Sequence, residues 1–270
     1  MNLSKLRLLA GVAASNPPEF ADRVRAVAEV QADRFLHTAA AYPDVPWDQV
    51  LRGLSGALGV NAAAIDREVD DRRIESTIAA GIARLGPSPQ FALRHNADAR
   101  IARLCYIACR ARRPDTVIET GVAYGVTTTF VLTALEVNGR GRLHSIDLPP
   151  LGSAADAAVG ALVPDQLRAR WTLHRGASRR ILPPLLAQLG TVDMFIHDSL
   201  HTSRTMRWEF ETAHRHGGRP FVLLADDIEL NRAFEEFVAA HGTTLAFQAT
   251  CAASAKDARA GVGIFEASAG

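Results

Sequence analysis

The sequence predicts an α/β fold: a doubly wound, mostly parallel seven-stranded sheet with an N-terminal helical extension. Three observations lead there. From residue 96 onward, short apolar runs alternate with single helical segments, and strands joined by single helices pair in parallel through right-handed crossovers. Residues 1–95 show helical spacing and no convincing strand. The last two apolar runs follow each other without a helix, so the sheet is expected to end in an antiparallel hairpin.

The N-terminal region, 1–95, is read as helices. "PPEFADRVRAVAEVQADRFLHTAAAY" repeats Phe20, Val24, Val27, Val30 and Leu36 at helical spacing. Pro46 opens a second helix reaching Leu58, and Asn61 caps a third. "GPSPQ" at 86–90 breaks the pattern. In the second region, 96–270, Asn96 caps a helix running to about Arg112, with Ile101, Leu104, Cys105 and Ala108 on one face. Strands are expected at 116–119, 142–146, 171–174, 192–197, 220–225, 244–250 and 261–266. Helices are expected at 125–137, 164–170, 181–189, 203–215 and 230–240.

Composition narrows the function. The chain has 270 residues and a net charge of +1, from 30 basic and 29 acidic side chains. That balance argues against a general nucleic-acid binder, which needs a basic face. Arg110, Arg112 and Arg113 cluster, as do Arg179 and Arg180, and solvated helix ends account for both. Three cysteines, at 105, 109 and 251, fit no zinc signature. Cys105 and Cys109 read as core residues, and a reducing, cytoplasmic setting is expected. The first fifteen residues imitate a signal peptide only faintly, and no apolar run approaches a membrane span.

In an open α/β sheet, ligands sit beyond the carboxyl ends of the strands, near the switch point. Acidic residues fall at those ends here: Glu119, Asp147, Asp198 and the pair Asp226-Asp227. Each alone could cap a following helix. Several at one edge favour a shared site. The turn "ETGVAYG", 119–125, lacks both the dinucleotide and the triphosphate spelling. Gly121 and Gly125 let the backbone approach a ligand closely, and the helix starting near Gly125 favours an anion at its N-terminus.

This turn resembles motif I of the class I S-adenosylmethionine-dependent methyltransferases, and the downstream order is similar over residues 97–266. The resemblance implies a Rossmann-like fold. It also implies a cofactor site of Glu119, Gly121, Ala123, Tyr124, Gly125, Asp147, Ala177, Ser178 and Asp198. There Glu119 would answer the cofactor's ammonium group or nearby positive charge, and Asp147 would accept from the ribose hydroxyls. "RGAS", 175–178, would meet the adenine.

"HDSLH", 197–201, imitates a zinc-protease motif, but that motif works only on a helix, and "VDMFI" runs into His197 as a strand. No G-x-S-x-G occurs, so a serine-hydrolase reading is poor. Asp198-x-x-His201 followed by Asp226-Asp227 instead resembles the metal-dependent macrocin O-methyltransferase type and related cephalosporin-hydroxylase-like proteins. The resemblance implies that Asp198, Asp226 and Asp227 hold Mg2+ and that His201 is the base. The pair here is Asp-Asp, where that group has Glu-Asp. Asp227 could instead cap a helix starting near Ile228, Tyr124 and Trp208 could line the pocket or merely pack, with packing favoured for Trp208, and His214 and His216 suit a helix C-terminus.

The expected activity is O-methylation of a small hydroxylated molecule, such as a sugar or glycosylated metabolite. Metal-independent methylation and a non-catalytic binding module are the alternatives. The expected partner is a small-molecule substrate, with neither nucleic acid nor membrane. Every cofactor signal lies after residue 115, so the N-terminal helices are expected to serve the substrate side or contacts with a second copy of the chain.

Overall fold

The computed structural model describes residues 3–36, 39–85, 99–242, 245–250 and 259–266. The expected Asn96 cap, the break at 86–90 and Cys251 lie outside them. The chain opens with helices α1 (Leu3–Ser15), α2 (Pro17–Leu36), α3 (Trp47–Leu58), α4 (Ala62–Asp71) and α5 (Ile74–Arg84). Pro46 stands immediately before α3. The Asn61 side chain accepts the Ala64 N–H at 2.9 Å, satisfying a donor that the start of α4 leaves open.

Helix α6 (Ala99–Arg112) leads into β1 (Thr116–Thr120), α7 (Val126–Asn138), β2 (Arg142–Asp147), α8 (Ser153–Ala158), a 3-10 segment (Asp165–Arg170) and β3 (Trp171–Arg175). Then follow α9 (Ser178–Leu189), β4 (Val192–His197), α10 (Ser203–His214), β5 (Gly217–Ala225), a 3-10 turn (Ile228–Leu230), α11 (Ala233–His241), β6 (Leu245–Thr250) and β7 (Arg259–Phe265). The seven strands form one sheet in the order β3-β2-β1-β4-β5-β7-β6. β1 to β5 run parallel, and β7 pairs antiparallel with both β5 and β6. The expected terminal hairpin is present, with the last strand inserted between β5 and β6.

The central segments Val117–Ile118, Met194–Ile196 and Phe221–Ala225 are apolar on both faces because both faces are covered there. Side chains alternate across a strand. Val117, Met194, Ile196, Val222 and Leu224 therefore join a core under α6 and α7. Ile118, Phe195, Phe221 and Leu223 join another with residues of α9, α10 and α11. Cys105 and Cys109 are fully buried in the first core. Helices α3 to α5 contribute Val50, Leu54, Val69 and Ile78 to that same core. Among the described residues, no helix is long and apolar enough to cross a membrane.

Helix α2 reverses the expected polarity. Val24 and Val27 are 48% and 63% exposed, whereas Glu19 and Glu29 are 3% and 7% exposed. The cause is what lies beneath. Arg175, Arg179 and Arg180, at the end of β3 and the start of α9, form ion pairs with Glu19, Glu29 and Asp22 of α2. Helix α2 is therefore turned with its charged face inward, and the arginines read as solvated helix ends are its anchors.

Arg103 of α6 ties the other N-terminal helices down. It forms ion pairs with Asp66 of α4 at 2.9 Å and Glu75 of α5 at 2.7 Å, and also contacts Asp70. Arg103 and Asp66 are largely buried, so losing the arginine strands a carboxylate out of water. Arg103→Met should lower unfolding stability by about 3 kcal/mol, at the low end of the range for breaking a buried pair because Asp70 and Glu75 remain partly wetted. Urea denaturation checks this; an unchanged midpoint and slope would show that the cluster holds nothing.

Candidate functional site

The chain runs outward from β1 through β2 to β3, then turns back to β4 and β5. The switch point therefore lies between β1 and β4, where the segments leaving neighbouring strands diverge and open a crevice. A cavity of about 410 Å³ lies there. One wall carries Gly121, Ala123, Asp147, Ala177 and Ser178; another carries Asp198, His201 and Asp227. Asp22, Ala26 and Glu29 of α2 also line it, alongside Pro149 and Ala177. Helix α2 thus borders the same side as Asp147, which the sequence did not reveal.

Asp147 organises the β1 turn. Its Oδ2 accepts the N–H groups of Val122 at 2.7 Å and Ala123 at 3.0 Å. Burial raises its carboxyl above the ordinary range, against the opposing effect of those two donors. Ala123 has φ +47°, a conformation that costs a side-chain-bearing residue energy. The two N–H bonds help hold it there. Asp147 Oδ1 accepts no hydrogen bond among the described residues.

The turn glycines serve the protein's own packing. A Cβ on Gly121 would lie 1.8 Å from the Asp198 carbonyl oxygen, so Gly121 lets the β1 and β4 loops touch. A Cβ on Gly125 would meet Val163 at 2.9 Å and Gly160 at 3.1 Å. Gly160 and Leu162 donate their N–H groups to the carbonyls of Ala123 and Tyr124. The start of α7 is therefore covered by the 160–163 segment, and Gly125 is not on the cavity wall.

Three further expectations are corrected. Glu119 does not face the cavity. It continues the Val117 face of β1 toward α6 and α7, and its Oε2 accepts Ser145 Oγ at 2.6 Å and Thr128 Oγ1 at 2.8 Å. Burial pushes its carboxyl up to about 7. Tyr124 is 1% exposed and packs in the core. Asp226 is also 1% exposed and absent from the cavity wall; its N–H donates to the His197 carbonyl, extending the strand pairing. The three-carboxylate cluster is thus not assembled. Among the described residues, no group of three or more His, Cys, Asp or Glu side chains is arranged to hold a metal ion.

His201 stands instead among acids. Its Nε2 lies 3.7 Å from Asp198 Oδ1 and 3.5 Å from Asp227 Oδ2. Asp227 has φ +51° and does not cap the turn at Ile228 with its side chain. The His201 carbonyl accepts from Asn231 Nδ2 at 3.2 Å, and Asn231 Oδ1 accepts the Ala233 N–H at 2.9 Å.

Beneath this wall lies a polar centre that sequence reasoning missed. Glu209 of α10 is fully buried. Its Oε2 accepts from His197 Nδ1 at 2.6 Å and Thr120 Oγ1 at 2.7 Å, and its Oε1 accepts from Ser199 Oγ at 3.1 Å. Ser178 is hydrogen-bonded to it as well. Burial opposes its charge, but His197 and the hydroxyl donors prevail and hold the carboxyl below its usual range. The signal was available: Glu209 interrupts the apolar face of Met206, Phe210 and Ala213. Asn231, fully buried in a turn, gave no such pattern.

Comparisons with known proteins agree with this architecture. A family model described as a methyltransferase domain matches residues 118–228. The search of curated protein sequences finds no significant match. The O-methyltransferase from Bacillus cereus in complex with SAH is similar in structure, with a TM-score of 0.53 and 16% identity, covering 74% of this chain and 97% of its own. The O-methyltransferase TomG from Streptomyces achromogenes, involved in tomaymycin synthesis and in complex with SAM, has a TM-score of 0.53 and 18% identity, with 88% and 96% covered. Cofactor-bound Rv0187 from MTB has a TM-score of 0.51 and 17% identity, with 84% and 100% covered. At such identities the likeness establishes the fold alone, a seven-stranded α/β architecture shared with those structures.

Acid should loosen α2. The Arg175 hydrogen bond, with help from Arg23 and against burial, holds Glu19 down at about 2. A depressed carboxylate stabilises the fold above its unfolded value, about 4.5, and that contribution is lost as pH falls towards 2. Hydrogen exchange in α2, corrected for intrinsic rates, should therefore rise through this window before the sheet opens. Glu19→Gln should loosen α2 already at neutral pH. Equal protection of α2 in both proteins would refute the anchoring role.

Proposed function

We propose that this protein is an S-adenosylmethionine-dependent O-methyltransferase acting on a hydroxyl of a small molecule, such as a sugar or glycosylated metabolite. One observation carries the reading: a single cavity at the switch point has Asp147 and the start of α9 on one side, and His201 with two carboxylates on the other. The matched methyltransferase domain and the SAM- and SAH-bound fold neighbours support it.

The residues present fit this cofactor. Asp147 has one oxygen committed to the turn and the other available to accept from ribose hydroxyls. Ala177 and Ser178 begin α9 beside it and offer a wall for the base. Glu29 and Asp198 give the cavity negative charge suited to a cationic ligand. When bound, the cofactor supplies an electrophilic methyl group on a sulfonium.

The protein's part is to orient the acceptor and take its proton. A neutral alcohol is a poor nucleophile, and a base at hydrogen-bond distance raises its reactivity. His201 is suited to the task, because imidazole titrates near neutrality. Asp198 and Asp227 stabilise the imidazolium that forms when the hydroxyl proton moves to the ring. The proton leaves to solvent once the ether oxygen has formed. This arrangement favours direct deprotonation over the divalent-cation route, because His201 stands between the two carboxylates and Asp226 is buried off the cavity wall.

Two measurements test the reading. Asp147→Ala removes a carboxylate acceptor, with each hydrogen bond to a charged group worth about 1.5–3 kcal/mol. Calorimetry should show S-adenosylhomocysteine binding weakened at least about tenfold. Unchanged affinity would move the cofactor elsewhere.

His201→Ala should lower turnover by roughly 10²–10⁴-fold, the usual scale for a lost general base, with cofactor affinity nearly intact. On this route, excess chelator leaves the wild-type rate unchanged. Loss of activity in chelator, restored by magnesium, would instead require Asp226 to turn toward the cavity and the cation route to operate.

A further inference from the structure

We propose that the acceptor carries a phosphate group, and that a basic groove along α10 holds it. The groove, about 570 Å³, lies beside the cavity, and Arg179 lines both. The proposal rests on the O-methyltransferase reading and names the class of its substrate.

The groove is chemically unlike the rest of the chain. The whole sequence carries a net charge of +1, yet this wall sets four arginines against one glutamate. Arg204, Trp208, Glu211 and Arg215 recur at helical spacing and share one face of α10. Arg207 is engaged by Glu236 at 2.5 Å. Arg179 reaches Glu29 at 3.4 Å and stacks over Trp208, 4.8 Å from the ring centroid. Arg204 and Arg215 have no carboxylate partner among the described residues; Arg215 donates only to Thr212 Oγ1, at 3.3 Å. Two uncommitted guanidinium groups on one stripe suit phosphate, which arginine binds through paired N–H donors.

Position links the groove to the chemistry. Ser203, the first residue of α10, lines the groove, while His201 and Thr205 line the cavity. The two spaces thus meet at the start of one helix. A phosphate on α10 leaves the rest of the same molecule within reach of His201. Arg179 closes the boundary between them, and its contact with Glu29 ties the groove to α2 as well.

The test uses the full chain at about 0.15 M ionic strength, where charges farther apart than about 8 Å are largely screened. Inorganic pyrophosphate is titrated calorimetrically into protein loaded with S-adenosylhomocysteine. Saturable one-to-one binding is expected, without displacement of the loaded ligand. Both arginines are solvent-exposed, so Arg204→Ala/Arg215→Ala should fold with an unchanged melting temperature and bind pyrophosphate at least tenfold more weakly. Its affinity for S-adenosylhomocysteine should not change.

Glucose 1-phosphate should bind the loaded wild-type protein more tightly than glucose, and the double variant should erase that preference. Absence of saturable pyrophosphate binding, equal binding by the double variant, or displacement of S-adenosylhomocysteine would overturn the proposal. So would tighter, steeply salt-dependent binding of a short single-stranded oligonucleotide, which would assign the groove to nucleic acid. Failure of S-adenosylhomocysteine to bind the wild type would instead sink the methyltransferase reading beneath it.

Discussion

The buried carboxylate of Glu209 is the contact on which the site's geometry depends. It receives donors from the end of β1 (Thr120), the end of β4 (His197), the loop after β4 (Ser199) and the start of α9 (Ser178). These are four separate approaches to the cavity, fixed by one side chain from a helix on the far face of the sheet. A charged acceptor can do this because each donor compensates part of the hydration it lost, and hydrogen bonds to an ionised group are the stronger kind. The same logic makes the arrangement costly to disturb, since an unpaired charge cannot remain in that environment. Whatever occupies the cavity meets walls already held in place.

The fold was legible because its physics is local and periodic. The central strands carry apolar cores, and single intervening helices dictate parallel pairing. Asn61 announced its own helix through a side chain that can only be satisfied locally. The site was legible in outline for a related reason: Asp147, Asp198, His201 and Asp227 all leave strand ends that topology gathers at one edge. What sequence could not supply was side-chain direction within that edge. Glu119 and Asp147 are both carboxylates at strand ends and on one face of the sheet, yet Glu119 lies level with Ser145 in the core, whereas Asp147, two residues farther toward the carboxyl edge, reaches the wall.

The glycines teach a similar lesson. Gly121 and Gly125 matched a cofactor motif, and closeness to a ligand was the natural explanation. Their missing Cβ atoms instead make room for the Asp198 carbonyl and for the 160–163 segment. The motif's spelling reports how tightly two loops pack at the switch point. A cavity forms where those loops pack and diverge, and Gly121 lines it while Gly125 does not. Ala123, held at positive φ by the Asp147 carboxylate, lines the cavity beside Gly121 and Val122.

Helix α2 shows why amphipathic pattern alone misassigns a surface. Its apolar residues recur at helical spacing, but a helix buries whichever face the underlying surface can compensate. Under α2 that surface is cationic, supplied by Arg175, Arg179 and Arg180, and it selects the acidic stripe of Glu19, Asp22 and Glu29. Ion pairs are then left to hold an element whose Val24 and Val27 remain in water. Such contacts weaken with protonation and screening where hydrophobic packing would not. The wall of the cavity formed by α2 is therefore its most separable part, while the walls formed by the sheet are tied to the core through Glu209. The cavity thus has rigid walls on one side and a separable wall on the other.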